Sequence, residues 1–270
     1  MSATAKQGTK DQGYGRFSRT YTLPDGAVYD SVTSILGIIA KPALINWAAN
    51  TERDLCLEAS AQLYQDFPVG AQKMESAAYK ETLLRRIGDK KAHQKLLDKA
   101  GNIGKEAHAL IEWNMRKELG QLPGLQPAVG PEAARAFSKF QEWRQGVELR
   151  PLRIEEVVYS REQEYAGTLD LYAALKGPDD ALVHAVIDWK TGKAIYDEAL
   201  LQNAAYIWAL REMGHAVGET WGLIVRLPKV KTDPDFEVRW ISPDEQVTHF
   251  QAFTAAKALW DWQQKLEGGK

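Results

Sequence analysis

Two apolar runs with a period of two, residues 167–175 and 182–190, flank the turn chemistry Gly177-Pro178-Asp179-Asp180 and dictate an antiparallel strand pair. With the turn centred on Asp179, positions 170 and 188 each lie nine residues away and oppose one another. Cross-strand Cβ atoms are roughly 5 Å apart in such a pair, so Asp170 and Asp188 bring two carboxylates together. Residues i and i+2 share a strand face, so Lys190 points the same way as Asp188, Val186 and His184, and opposes Thr168. Facing carboxylates are destabilising unless positive charge separates them.

The rest of the chain arranges itself around this pair. Further strands are expected at 154–160, 221–227 and 236–241, and helices at 31–39, from Pro42 onward, 71–99, 102–119, 131–146 and 197–213. Gly120 with Pro123 ends one helix and Gly146 caps another. Ser242-Pro243-Asp244-Glu245 is a capping box that opens a long last helix. The expected class is α/β, a small mixed β-sheet flanked by helices. Residues 1–20 read as a flexible N-terminal tail and 21–150 as a helical region. Residues 151–270 read as the α/β core with its C-terminal helix, the whole forming one integrated domain.

Composition bounds the function classes. The 270 residues carry 34 Lys and Arg against 36 Asp and Glu, with no repeat or low-complexity tract, which excludes collagenous, solenoid and disordered chains. A single cysteine, Cys56, cannot form an intramolecular disulfide or supply a zinc ribbon or iron–sulfur cluster. It reads as a small buried hydrophobe in a reducing compartment. No apolar run reaches the roughly 18 residues that span a bilayer, so the expectation is a soluble, cytoplasmic protein with no membrane partner. Near-neutral charge argues against a coat-like nucleic-acid binder. Yet residues 80–117 hold ten Lys or Arg against five acids, and 130–200 hold nine against thirteen. Solvated helix faces would show the same bias.

The facing carboxylates carry the chemistry. A hard cation such as Mg²⁺ takes oxygen ligands in an open site and activates water, and an ammonium beside it neutralises charge developing on a phosphate. Asp170, Asp188 and Lys190 therefore suit metal-assisted phosphodiester hydrolysis, although an ordinary cross-strand ion pair would look alike. His108 shares a helical stripe with Gly104, Ile111, Met115 and Leu119, with Glu112 at its edge. Most histidines so placed are satisfied core residues; one aimed at two carboxylates becomes a candidate ligand. Gln202 and Tyr206, at i and i+4, can reach a phosphate oxygen or brace the Lys190 loop, or simply fill a helix face.

In order, Gly-x-x-x-His (104, 108), Gly-Thr-x-Asp (167–170), Asp-x-Lys-Thr (188–191) and Gln-x-x-x-Tyr (202, 206) resemble the PD-(D/E)XK nuclease superfamily. The likeness is to its RecB-type exonuclease branch, the stand-alone phage and mitochondrial-genome-maintenance enzymes in particular. Tyr29-Asp-Ser31-Val-Thr33 and Lys41-Pro42-Ala-Leu-Ile-Asn-Trp47 look like the N-terminal segment of phage members. The resemblance implies a restriction-endonuclease-like core. It implies one or two Mg²⁺ or Mn²⁺ ions on His108, Asp170, Asp188 and the Trp189 carbonyl, with Lys190 as catalytic lysine. Gln202, Tyr206, Thr168 and Thr191 become accessory residues at substrate phosphates. The family also places a Glu on the first core strand. Alternation admits only one of Glu155 and Glu156, and Glu155 is favoured because it would share a face with Val157 and Tyr159. Lys91, Lys95, Lys99 and Lys105 become a phosphate-tracking wall, with Trp47, Tyr64 or Tyr79 stacking unpaired bases.

The chain departs from some relatives of that branch in having no iron–sulfur cysteine set and no P-loop, so cleavage should be hydrolytic and ATP-independent. The expected partner is DNA, single-stranded or at ends, during phage or bacterial recombination, repair or replication. A single-strand-binding or recombination protein is a further candidate partner. Competing readings are a structure-specific endonuclease, a non-catalytic DNA-end-binding module of the same fold, and an unrelated structural protein whose acids form ion pairs.

Overall fold

The computed structural model describes residues 5–11, 17–66 and 75–268. Two compact units emerge, one of residues 1–39 with 103–270 and one of residues 40–102. In chain order the first unit begins with β1 (Lys6–Asp11), β2 (Phe17–Thr22), β3 (Val28–Ser31) and α1 (Val32–Leu36). The second holds α2 (Pro42–Gln65), α3 (Ser76–Ile87) and the start of α4 (Ala92–Glu118). The first unit resumes through α4 and α5 (Pro131–Gln145) into β4 (Leu149–Ser160), β5 (Tyr165–Lys176), β6 (Leu182–Lys190) and α6 (Asp197–Glu212). It closes with β7 (Thr220–Arg226), β8 (Glu237–Ile241) and α7 (Pro243–Gly268).

The first unit is a mixed sheet flanked by helices. Its strands run β1-β2-β3-β5-β6-β7-β8, and off this path β4 pairs with β5. β3 with β5 and β6 with β7 are parallel, and the remaining pairs are antiparallel. One sheet face packs Leu171, Ile187 and Trp189 against Ile111 of α4 and Phe140 and Trp143 of α5. The other packs Leu169, Tyr172 and Val186 against Ile35 of α1, Ile207 of α6 and Phe253 of α7. Burial on both faces explains why 183–189 reads as a nearly unbroken apolar run. Each such side chain contributes about 1.5–3 kcal/mol by leaving water. The β5–β6 ladder runs from Lys176↔Leu182 to Leu171↔Ile187, the register of a turn centred on Asp179. The 242–245 box also forms: Glu245 N–H donates to Ser242 Oγ (3.2 Å) and Ser242 N–H to Glu245 Oε2 (2.9 Å).

Several expectations need correction. The supposed tail holds β1, paired from Lys6↔Thr22 to Asp11↔Phe17, so most of 1–20 that is described belongs to the sheet's edge hairpin. Its polar sequence hides this, because an edge strand need not bury alternate residues. The helix expected at 31–39 is only α1, with Ser31 as the N-cap that accepts from Ser34 N–H (3.0 Å). The helix expected over 71–99 is two helices, split where Gly88 takes φ 73° and its N–H closes on Leu84 O; residues 71–74 lie outside the described ones. α4 then starts at Ala92 and runs through Gly101 and Gly104 without a break. Cys56 is exposed, because α2 buries only Ala59 and Leu63.

Candidate metal centre and lysine relay

β4 and β5 carry an irregularity on which the site depends. Ile154 pairs with Leu171 and Glu156 with Leu169, which leaves Glu155 and Asp170 opposite each other between two regular pairs. Residues two apart should share a face, yet Leu169 packs with the α6 and α7 cluster and Leu171 with the α4 and α5 cluster. Val158 and Ile154 divide the same way across β4. Both strands therefore exchange faces at this pair, and β4 also does so at the register shift between Pro151 and Arg153, where Leu152 and Ile154 fall in opposite clusters. Glu155 accommodates the exchange with φ 48°, a left-handed conformation that costs a non-glycine residue about 1–3 kcal/mol.

At the exchange point His108 of α4 meets the two acids. Ligand atoms of His108, Glu155 and Asp170 all lie within 4.8 Å of one another. His108 Nε2 donates to the Trp189 carbonyl (2.9 Å), and its Nδ1 lies 3.5 Å from Asp170 Oδ1. Asp170 Oδ2 accepts from Trp189 N–H (2.8 Å), a backbone donor beyond the last β5–β6 pair. Burial pushes Glu155 up to about 8, with Asp170 adding repulsion that His108 only partly offsets. Burial would lower His108, but the Asp170 carboxylate outweighs it and holds the imidazole up at about 9. Asp170 is held below the ordinary carboxylate range, since His108 overcomes the cost of burial.

The second half of the site lies at the end of β6. Lys190 Nζ sits 2.7 Å from Asp188 Oδ2 and donates to Gln202 Oε1 (2.8 Å), while Gln202 Nε2 donates to Tyr206 OH (2.8 Å). Lys190 approaches Asp188 off-axis, so the buried Oδ2 has a charge partner and no aligned donor. Burial pushes Asp188 up to about 6 despite that ammonium, and Asp170 pushes in the same direction. Burial also raises Tyr206 well above the ordinary phenol range, so it stays a neutral donor. A Cβ at Gly167 would meet Tyr206 Cε1 at 2.3 Å, which explains why only glycine fits there. Likewise Gly104 packs at Thr191, where a Cβ would lie 3.3 Å from Oγ1.

The structure thus brings His108, Glu155 and Asp170 together, and sets Asp188, Lys190, Gln202 and Tyr206 side by side. Asp188 stands outside the three-residue ligand group, in which Asp170 is joined by Glu155, but it remains close enough for Asp170 to raise its carboxyl. Glu156 points elsewhere, to Arg153 (2.9 Å) and His215 (3.0 Å). Thr168 Oγ1 is bonded to Tyr21 OH (2.9 Å), which also accepts from Gln7 Nε2 (3.1 Å). Lys91, Lys95, Lys99 and Lys105 are all exposed, the first three within the 40–102 unit. In that unit Tyr64 is exposed, Trp47 packs edge-on to His93, and Tyr79 OH bonds Ser60.

Tyr21 and Asn203 escaped sequence reasoning. Tyr21 lies in the hairpin read as tail and as the start of a helical region. Asn203, fully buried, fastens α6 to β6 by donating to Val186 O (3.0 Å); its position beside Gln202 was the only signal.

One imidazole and two carboxylates could hold a metal ion here, and the Trp189 carbonyl lies beside the imidazole. No family model matches the chain, and no curated protein matches it.

Proposed function

We propose that this chain is a metal-dependent deoxyribonuclease built on a restriction-endonuclease-like core of the PD-(D/E)XK kind. It hydrolyses phosphodiester bonds without ATP, as an exonuclease at ends or on single strands, in the cytoplasm of a bacterial or phage-infected cell. The observation that carries this reading is the Lys190 ammonium, held between Asp188 (2.7 Å) and Gln202 (2.8 Å) on the strand that also supplies Trp189 O to His108.

His108, Glu155 and Asp170, with the Trp189 carbonyl beside them, would hold Mg²⁺ or Mn²⁺. The ion, when bound, supplies Lewis acidity that activates an attacking water and offsets charge on the phosphoryl oxygens. Lys190 has three N–H donors, of which Gln202 accepts one while Asp188 lies 2.7 Å away as its charge partner, so the ammonium is aimed by its neighbours with donors left for a phosphate oxygen or a water. Gln202 fixes this aim, because its NH₂ is committed to Tyr206 and its carbonyl must face the lysine. Tyr206 keeps its own proton, so its O–H remains a hydrogen-bond donor.

End-labelled linear DNA incubated with wild type and Lys190→Ala, in Mg²⁺ or in chelator, tests the reading. Wild type should cleave only with Mg²⁺, and the variant should be slower by about 10²–10³-fold. Equal products from both proteins would remove Lys190 from the mechanism and with it the proposal. Covalently closed single-stranded circles should be spared; if they are cut as fast as linear strands, end dependence is wrong.

A further inference from the structure

α4 carries more than the candidate imidazole. His108, Glu112 and Arg116 fall at i, i+4 and i+8, a single stripe along the helix. Arg116 uses three nitrogens: Nε donates to Glu112 Oε1 (2.7 Å), Nη1 to Gln121 Oε1 (3.2 Å), and Nη2 to the Ile154 carbonyl at a longer 3.4 Å.

The last contact has a particular meaning. The Ile154 carbonyl belongs to the peptide group preceding Glu155, and rotation of that group about the Glu155 N–Cα bond is φ, held here at 48°. A donor fixed on this oxygen restrains the dihedral that turns β4 over and sends the Glu155 carboxylate toward Asp170 and His108. The guanidinium also offsets part of the Glu155 charge, against the repulsion of Asp170 and Glu112.

We infer that Arg116 is a positioning residue which, held by Glu112 and Gln121, locks the left-handed backbone of Glu155 and keeps its carboxylate in the cation cluster. This rests on the nuclease reading above. Lysine is a poor substitute, because a single ammonium cannot span the Glu112 carboxylate, the Gln121 amide and the Ile154 carbonyl in fixed directions. A helix-surface pair of Glu112 with Arg116 would predict no link to the cluster at all.

The test uses the full chain without DNA and reads the Mg²⁺ concentration that gives half of the metal-induced thermal shift. Arg116→Gln should raise that concentration by about 10-fold or more. Arg116→Lys, which keeps charge and length and guards against simple unfolding, should raise it in the same direction. On linear DNA both variants should lose kcat with KM little changed. In a Glu155→Gln background, Arg116→Gln should add no further loss, since the arginine acts through that carboxylate. A wild-type metal response in both Arg116 variants, or fully additive losses in the double variant, overturns the inference and leaves the nuclease reading standing. No metal response in wild type overturns the nuclease reading and the inference together.

Discussion

The two halves of the candidate site are built on opposite principles. Around Lys190 the chain fixes its own donors: the ammonium lies against Asp188 and donates to Gln202, and the Gln202 amide donates to Tyr206, although Asp188 Oδ2 has no aligned donor. Around His108 the accounts do not close, for two carboxylates share one imidazole and Glu155 is forced up to about 8. Fixed donors aim an ammonium, whereas on the proposed reading the acidic cluster takes its balancing charge from a bound cation. On that reading one half positions and the other binds the cation, and variants of each should fail differently.

The largest expected effect is on the Lys190 half. Lys190→Met should lower cleavage by about 10²–10³-fold while the Mg²⁺-induced thermal shift survives. Loss of that shift along with activity would mean that the halves are not separable. Next comes Gly167→Ala, whose new methyl has no room beside the Tyr206 ring. Overpacking there should destabilise by about 1–3 kcal/mol in chemical denaturation and reduce activity by displacing Tyr206. An unperturbed midpoint would show that the ring has slack.

The His108 half should reveal itself through pH. Folding raises Glu155 to about 8 and Asp188 to about 6, so the metal-free fold favours their protonated forms. That contribution is complete below the ordinary carboxylate range and is lost as pH rises through about 6 and then about 8. His108 acts in the same direction: its contribution is complete below the ordinary imidazole value and fades as pH climbs through about 9. Metal-free Tm should therefore fall from pH 6 to pH 8, and the extra Tm conferred by Mg²⁺ should grow over that interval. A metal-induced shift that is flat or shrinking with pH would contradict the assignment. The smallest effect belongs to Glu156→Gln, which loses partly exposed pairs with Arg153 and His215 and should cost no more than about 1 kcal/mol, with Mg²⁺ response and cleavage intact. A lost metal response there would show that the neighbouring acid was misassigned.

What could be read in advance follows from where local rules hold. The β5–β6 register and the side-by-side placement of Asp188 with Lys190 come from strict alternation around one turn, and Gln202 with Tyr206 from one helical turn. The Glu155 and Asp170 pairing broke alternation itself. Counting faces along a strand presumes that none are exchanged, so Val157 and Tyr159 were unsafe guides to where Glu155 points. The β1–β2 hairpin was invisible for another reason: Lys6–Asp11 has no apolar alternation, being held by ladder hydrogen bonds and by Tyr21 between Gln7 and Thr168. In the helical region, Gly88 ended one helix while Gly101 and Gly104 ended none, because the first adopts φ 73° and closes on Leu84 whereas the others stay within α4.

Calorimetric titration of Mn²⁺ into the wild-type chain and into Asp170→Asn tests the His108 half most directly. A saturable site in wild type that disappears in Asp170→Asn is the predicted result. Absence of binding to wild type, or equal binding to both, would contradict it.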